Sequence, residues 1–292
     1  MISKGGCSAA ASRLSSRTLR ILFIADVVGA PGRRALEQRL HAIRDEHAID
    51  VCVVNGENAA DGIGITPRLA EQLLAMGVDA ITLGNHAFRR TEIGPYLETS
   101  DRVIRPANTA RSTPGRGLVI VPAANGASIG VINVLGSLFL HPATSMFEVI
   151  DDLVEEARKE TPVVLVDVHA EATSEKIALA QWLDGRVTAV VGTHTHVPTA
   201  DARVLPGGTA YVTDVGMTGA RGGVIGVKRE QSISVFRTQM PQRYDSSDED
   251  PWLMAVVIRT APGSSPSRAE SIETILLPAN SATNASGRNQ TR

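Results

Sequence analysis

Apolar positions along the chain fall into short β-branched runs separated by longer stretches with amphipathic, helix-like spacing. The short runs occupy residues 20–25, 50–54, 79–83, 162–167 and 187–192 and predict strands. Helices are predicted over residues 33–47, 67–76, 147–159 and 174–183. Pro31 and Pro67 stand where a first-turn proline is tolerated, and Thr66 is placed to cap the second helix. Strands alternating with helices point to an α/β fold with a largely parallel sheet. Residues 117–140 break that rhythm: two apolar runs around Ala124-Asn125-Gly126 predict an antiparallel hairpin. Residues 209–259 also read as strand-rich.

The ends of the chain differ from this pattern. Residues 1–18 are rich in Ser, Ala and basic side chains, with no apolar core of a secretory signal, and are expected to form a disordered extension or to follow an upstream start codon. Residues 279–292, rich in Asn, Ser, Thr and Ala, are expected to be a disordered tail. No linker, repeat or low-complexity junction interrupts the chain between them, so residues 19–278 are expected to be one domain.

Composition removes several classes of function. With 43% hydrophobic residues among 292, the chain can bury a substantial core and is not natively disordered. Its 29 basic and 31 acidic residues leave a formal charge of −2, without the basic excess of a phosphate-backbone binder. The 2 Trp, 3 Tyr and 5 Phe are too few for base-stacking platforms, so stable nucleic-acid binding is not expected. No apolar stretch approaches the roughly 18–20 residues that span a bilayer. Cys52 lies in an apolar run, as a buried hydrophobe in a reducing compartment would, and no CxxC pair exists to hold zinc. A cytoplasmic location follows as the expectation. Any metal must be held by His, Asp, Glu or Asn.

Those residue types recur at one kind of place. In open α/β sheets ligands bind beyond the carboxyl ends of the strands. Here Asp26 follows the first predicted strand and Asn55-Gly56-Glu57-Asn58 the second. Asn85-His86 follows the third, His169 the fourth, and His194 with His196 the fifth. A single Asn or His at a strand end is an ordinary turn or cap, and Asn-Gly alone is a turn signal. Five successive occurrences point instead to one site with two metals. The mixture of carboxylate, carboxamide and imidazole suits iron, manganese or zinc better than calcium or magnesium. Glu57 is the natural bridge between two cations that poise a hydroxide for in-line attack on phosphorus. His41, His47 and His141 fall on a polar helix or a loop and read as solvated. Asp201 and Asp214 could orient imidazoles, and Arg33 and Arg34 could meet a substrate phosphate; each is as readily an ordinary surface group. Glu171 and Glu175 are assigned to the favourable start of a helix, and the acidic run at 245–250 to a solvated loop.

With these residues in hand, the chain resembles the calcineurin-like metallophosphoesterases. Gly84-Asn85-His86 and Gly192-Thr193-His194-Thr195-His196 are similar to their GNH and GHxH motifs. It departs where Asp26-Val27-Val28 replaces DxH, where Asn55-Gly56-Glu57-Asn58 replaces GDxxD, and where Ala87 replaces an acidic residue after GNH. These departures, with long blocks at 26–33, 55–66, 168–176, 193–201 and 208–219, resemble the YmdB-like bacterial phosphodiesterases over residues 18–278. The resemblance implies two β-sheets packed as a sandwich and flanked by helices, an α/β/β/α fold. It implies one ion held by Asp26, Glu57, Asn58 and His196, and a second by Glu57, Asn85, His169 and His194, iron being favoured with manganese or zinc as alternatives. His86 is then the general acid rather than a ligand. The implied reaction is hydrolysis of a small phosphodiester, a 2′,3′-cyclic nucleotide, with no membrane partner and homo-oligomerisation left open. The rivals are another dimetal phosphatase or phosphodiesterase, and a metal-binding regulatory protein with weak turnover.

Overall fold

The structure is a computed structural model that describes residues 18–263 and 266–279. The expected N-terminal extension, apart from Thr18, and the expected tail, apart from Ala279, lie outside the described residues. All five predicted strands form: β1 (Arg20–Ile24), β3 (Val51–Asn55), β4 (Ala80–Thr82), β8 (Val164–His169) and β9 (Ala189–Thr193). The first three belong to one sheet. It runs β2 (Asp26–Val27), β12 (Met217–Ala220), β13 (Pro251–Thr260), β1, β3, β4 and β5 (Val103–Ile104), with β14 (Ala269–Pro278) also paired to β13. From β1 to β5 the pairing is parallel, while β13 is antiparallel to β1 and to β14. The second sheet runs β10 (Arg203–Val204), β11 (Ala210–Val212), β9, β8, β7 (Ser128–Leu135) and β6 (Leu118–Pro122). Its four central strands are parallel and both edges antiparallel. The hairpin expected around Asn125-Gly126 is β6 with β7.

Alternation along the strands decides what each sheet faces. In β1, Ile21 and Phe23 join Val51, Val53, Val256, Val131, Leu165 and Val191 in a core between the two sheets. Leu22 and Ile24 point the other way and pack with Leu36, Leu40 and Leu73 from α1 (Gly29–Glu46) and α2 (Pro67–Ala75). The far face of the second sheet buries Ile132, Val134, Val164 and Val166 against α4 (Met146–Glu160) and α5 (Thr173–Leu183). Successive residues on a strand serve opposite faces, so these continuous apolar runs can belong only to strands covered on both sides. The result is the helix–sheet–sheet–helix layering that the resemblance implied.

Three elements differ from the sequence pattern. α1 begins at Gly29, ahead of the expected residue 33, because Pro31 falls in its first turn, where no amide donor is needed. Gly29-Ala30-Pro31-Gly32 reads locally as a turn, and only packing on β12 turns it into helix. The short α3 (Ile93–Thr99) contains Pro95 and buries Ile93 and Leu97 over only two turns, and α6 (Arg229–Thr238) buries only Ser232, so the first is too short and the second too exposed for a helical apolar pattern to stand out. Thr66 does cap α2, accepting from the Leu69 amide at 3.2 Å.

Gly32 shows how tightly α1 lies on the sheet. A Cβ at this position would stand 2.2 Å from the Thr218 carbonyl oxygen. Helix propensity alone predicts that Gly32→Ala stabilises the protein by about 1 kcal/mol. The contact reverses the sign, and a loss of about 1–3 kcal/mol is expected, read as a lower urea midpoint.

Candidate metal centre

The carboxyl ends of β3 and β4 meet those of β8 and β9 at one rim of the sandwich. Asp167, buried in β8, ties them together: it accepts from Thr82 Oγ at 2.5 Å, Thr193 Oγ at 2.7 Å and Asn55 Nδ2 at 3.1 Å. Burial pushes its carboxyl up to about 6 against the opposing charge of His169. Asn55 is therefore a strut between the sheets.

His169 occupies the middle of the rim and is fully buried. Its Nδ1 lies 2.9 Å from Thr193 Oγ, whose own proton goes to Asp167. Thr193 must then accept from His169 Nδ1–H, which turns Nε2 inward. Around that nitrogen stand Asn85 Oδ1 at 2.9 Å, His194 Nδ1 at 3.1 Å and Glu57 Oε1 at 3.3 Å. With Asn85 Oδ1 able only to accept, Nε2 carries a proton in the ion-free site, one that a bound cation would displace. Burial works against the charge of the doubly protonated ring, but Glu57, with Asp26 and Asp167, outweighs it and raises His169 to about 9. Glu57, itself buried, is in turn held well below the usual carboxylate range: desolvation opposes this, and His169 with a hydrogen bond from His86 overcomes it. His194 goes the other way, lowered to about 3 by burial and by the charge on His169, and its Nδ1 keeps a lone pair.

Glu57, His169 and His194 thus bring three ligand-type atoms within 4.8 Å of one another. Next to them lies a second group. Asp26 Oδ2 stands 3.2 Å from His196 Nε2 and accepts from the His194 amide at 3.3 Å. His196 Nδ1 donates to the Ile225 carbonyl at 2.9 Å, leaving Nε2 toward the carboxylate. Burial lowers His196, and Asp26 more than reverses this. Asn58 joins the two groups. Its oxygen accepts from His86 Nδ1 at 2.8 Å, while its nitrogen lies 3.1 Å from Glu57 Oε1 and 3.2 Å from His196 Nε2. To ligate a cation it would offer Oδ1 after a half-turn of the amide. The His86 amide also donates to Glu57 Oε2 at 2.8 Å.

The donors suit divalent cations on three counts. Lone-pair atoms converge on a single proton at His169 Nε2. Asp26 Oδ1 is buried and has no hydrogen-bond partner among the described residues. Gly84 provides the clearance, since a Cβ there would lie 2.4 Å from both Glu57 Oε2 and His169 Nε2.

The histidine loop is held under strain. His194 and His196 adopt φ of 97° and 64°, where a non-glycine residue costs about 1–3 kcal/mol. Thr195 between them is clamped by Asp214, which accepts from its amide at 3.1 Å and its hydroxyl at 2.8 Å. Asp214 is paired in turn with the fully buried Lys176 at 2.7 Å. Asp214 therefore touches the loop backbone and no imidazole. Asp201 is engaged by Thr199, Thr213 and Arg203, again without an imidazole contact.

Several functional positions escape the sequence reading. Glu171 precedes α5 and lies 3.1 Å from His194 Nε2, so it orients that ring instead of favouring a helix start. Glu175 does sit in the first turn of α5, where it accepts from the Ser137 and Leu138 amides. Asp167 carried a usable signal: two residues before His169 on one strand, it must share that residue's face. Lys176 and Thr193 carried none. Arg34 is paired with Asp248, and Glu249 of the acidic run with Arg229. His41 and His141 are exposed, as expected.

Known proteins resemble this chain over most of its length. Residues 22–289 match the family described as YmdB-like protein. A Bacillus subtilis protein named 2′,3′-cyclic-nucleotide 2′-phosphodiesterase is 47% identical over 240 residues, 82% of this chain and 90% of its own. The crystal structure of a Mycoplasma pneumoniae protein described as a novel phosphatase superposes with a TM-score of 0.82 at 32% identity, covering 90% of this chain and 94% of that one. The calcineurin-like phosphoesterase YfkN of Bacillus subtilis, at 16% identity, shares the fold with a TM-score of 0.59 over 94% of each chain.

Thr193→Val keeps the side-chain shape and removes the hydroxyl that fixes His169. Metal affinity is expected to fall about 10–100-fold in a chelator competition; an unchanged affinity would show that the hydroxyl does not orient the ring.

Proposed function

The chain belongs to the YmdB-like family, and from that premise we propose that it is a metal-dependent phosphodiesterase acting on nucleoside 2′,3′-cyclic phosphates. The support for this substrate is the name of the Bacillus relative. The observation that carries the chemistry is the convergence of Asn85 Oδ1, Glu57 Oε1 and His194 Nδ1 on His169 Nε2.

In this proposal Asp26, Glu57, Asn58 and His196 hold one ion, and Glu57, Asn85, His169 and His194 the other. Glu57 serves both. Iron is the favoured ion, with manganese or zinc as alternatives for the same mixed nitrogen and oxygen donors. When bound, the ions supply Lewis acidity toward phosphoryl oxygens and activation of water. The protein groups around them do the rest. Thr193, Glu171 and the Ile225 carbonyl fix the outer nitrogens of the three imidazoles, so each ring presents one defined atom inward.

His86 is the proton donor to the departing ribose oxygen. His86 Nδ1 lies 2.8 Å from the Asn58 carboxamide, which occupies that nitrogen whichever way the amide is turned and leaves Nε2 to exchange a proton with substrate. The His86 backbone N–H donates a hydrogen bond to Glu57 Oε2, which ties the residue to the carboxylate between the two groups. For a 2′-directed cleavage the proton goes to the 2′ oxygen and the product is a 3′-nucleotide. One catalytic domain spanning residues 19–278 suffices for this proposal.

The test combines metal content with hydrolysis of a cyclic nucleotide, a monoester and a bis-aryl phosphate. Wild-type protein is expected to hold close to two transition-metal ions per chain and to prefer the cyclic diester. Glu57→Ala should lose most of the metal, and chelation should abolish turnover. His86→Ala should retain the metal and lose about 10²–10⁴-fold in turnover. Normal hydrolysis by metal-free protein would sink the mechanism, and a preference for monoesters would replace the substrate class.

A further inference from the structure

A cleft of about 550 Å³ opens between the start of α1 and the start of α2, and its lining residues Ala60 and Arg90 lie two and four residues along the chain from Asn58 and His86. Arg33, Arg68 and Arg90 line it, with Asp61 and Glu92 as the acidic groups. Asp61 is engaged by Arg90 at 3.3 Å. Arg68 is exposed and has neither hydrogen-bond nor ion-pair partner among the described residues. Arg33 spends one donor on the Ala59 carbonyl. Burial draws its guanidinium below the usual range; Asp61 opposes this, and the neighbouring Arg68 and Arg34 charges add to it. Arg90 hydrogen-bonds the Ala60 carbonyl and keeps a buried Nε without a partner. The first turn of α2, at Pro67 and Arg68, carries no acidic residue and its Thr66 cap is neutral, so no carboxylate of that turn offsets the positive end of the helix.

Position ties the cleft to the reaction. Ala59, which anchors Arg33, follows Asn58, and Asn58 holds His86. Arg90 lies four residues beyond His86, on a turn closed by the Arg89 amide and the His86 carbonyl at 3.0 Å. No aromatic side chain lines the cleft, so it offers no platform for a nucleobase. Planar guanidinium forks with free donors match the tetrahedral oxygens of phosphate.

We propose that this arginine cleft is a subsite for a second phosphoryl group on the substrate, the 5′-phosphate of a nucleoside 2′,3′-cyclic phosphate. The proposal rests on the phosphodiesterase function above. A cyclic phosphate spanning the 2′ and 3′ oxygens leaves the 5′ carbon on the other side of the ribose, so a 5′-phosphate projects away from the metal ligands. The arginine cleft, reached from His86 within four residues of chain at Arg90, receives it there. Substrates without that group use the metal centre alone.

The experiment compares adenosine 2′,3′-cyclic phosphate with its 5′-phosphorylated counterpart on metal-loaded wild type and on Arg68→Gln. Arg68 is exposed and unpaired, so its replacement does not threaten the fold. Wild type is expected to show a KM at least about tenfold lower for the 5′-phosphorylated substrate. In Arg68→Gln the ratio of the two KM values should fall toward one. Equal KM values in wild type, or a ratio that survives the substitution, overturn the proposal. Should neither compound be hydrolysed, the function above fails, and the cleft is scored separately by calorimetric binding of adenosine 5′-monophosphate against adenosine. Preference for the phosphorylated ligand, lost in Arg68→Gln, supports the subsite; no preference overturns it.

Discussion

Lone-pair atoms that point at one another cannot stay together without positive charge between them. Asn85 Oδ1, Glu57 Oε1, His194 Nδ1 and His169 Nε2 are in that position at the rim of the sandwich, and a single proton on His169 is shared among all of them. A buried carboxylate such as Glu57, or Asp26 with its unpartnered oxygen, costs several kcal/mol in desolvation unless a cation compensates it. The site is a shaped demand for cations, and much of the surrounding structure exists to keep that demand from relaxing.

The means are rigid. Asp167 clamps the ends of both sheets, so the groups of β3 and β4 cannot drift from those of β8 and β9. The strained His194 and His196 are prevented from reverting to ordinary backbone by the Asp214 clamp on Thr195, backed by Lys176. Replacing that buried pair by apolar groups could cost nothing in stability, so its value lies in fixing the loop. Charge is arranged with the same economy. The chain is near neutral overall, yet in the proposed ion-loaded form it would carry positive charge locally at that site and in the arginine cleft. A small polyanion can be attracted to both without a basic surface.

How much of this was legible differs by element. The strand ends stood out because ligands of parallel α/β sheets bind there, and the fold brings the side chains of Asp26, Glu57, Asn58, Asn85, His86, His169, His194 and His196 together at one rim. Asp167 was readable by strand periodicity, being on the same face as His169. Glu171 was misread because its distance to His194 is set by how the turn before α5 folds over β9, not by spacing along the chain. α6 escaped because a helix that buries only Ser232 leaves no apolar stripe.

The sequence by itself determined which strands form, which faces they bury and which chemical groups stand at their ends. Those properties are periodic and local, written in side-chain type and order. Only the tertiary structure decided which nitrogen of each imidazole turns inward, which carboxylate pays for which charge, and that three arginines distant in the chain share one cleft. Such pairings depend on the crossing of two sheets and on desolvation, and a linear order of residues carries neither.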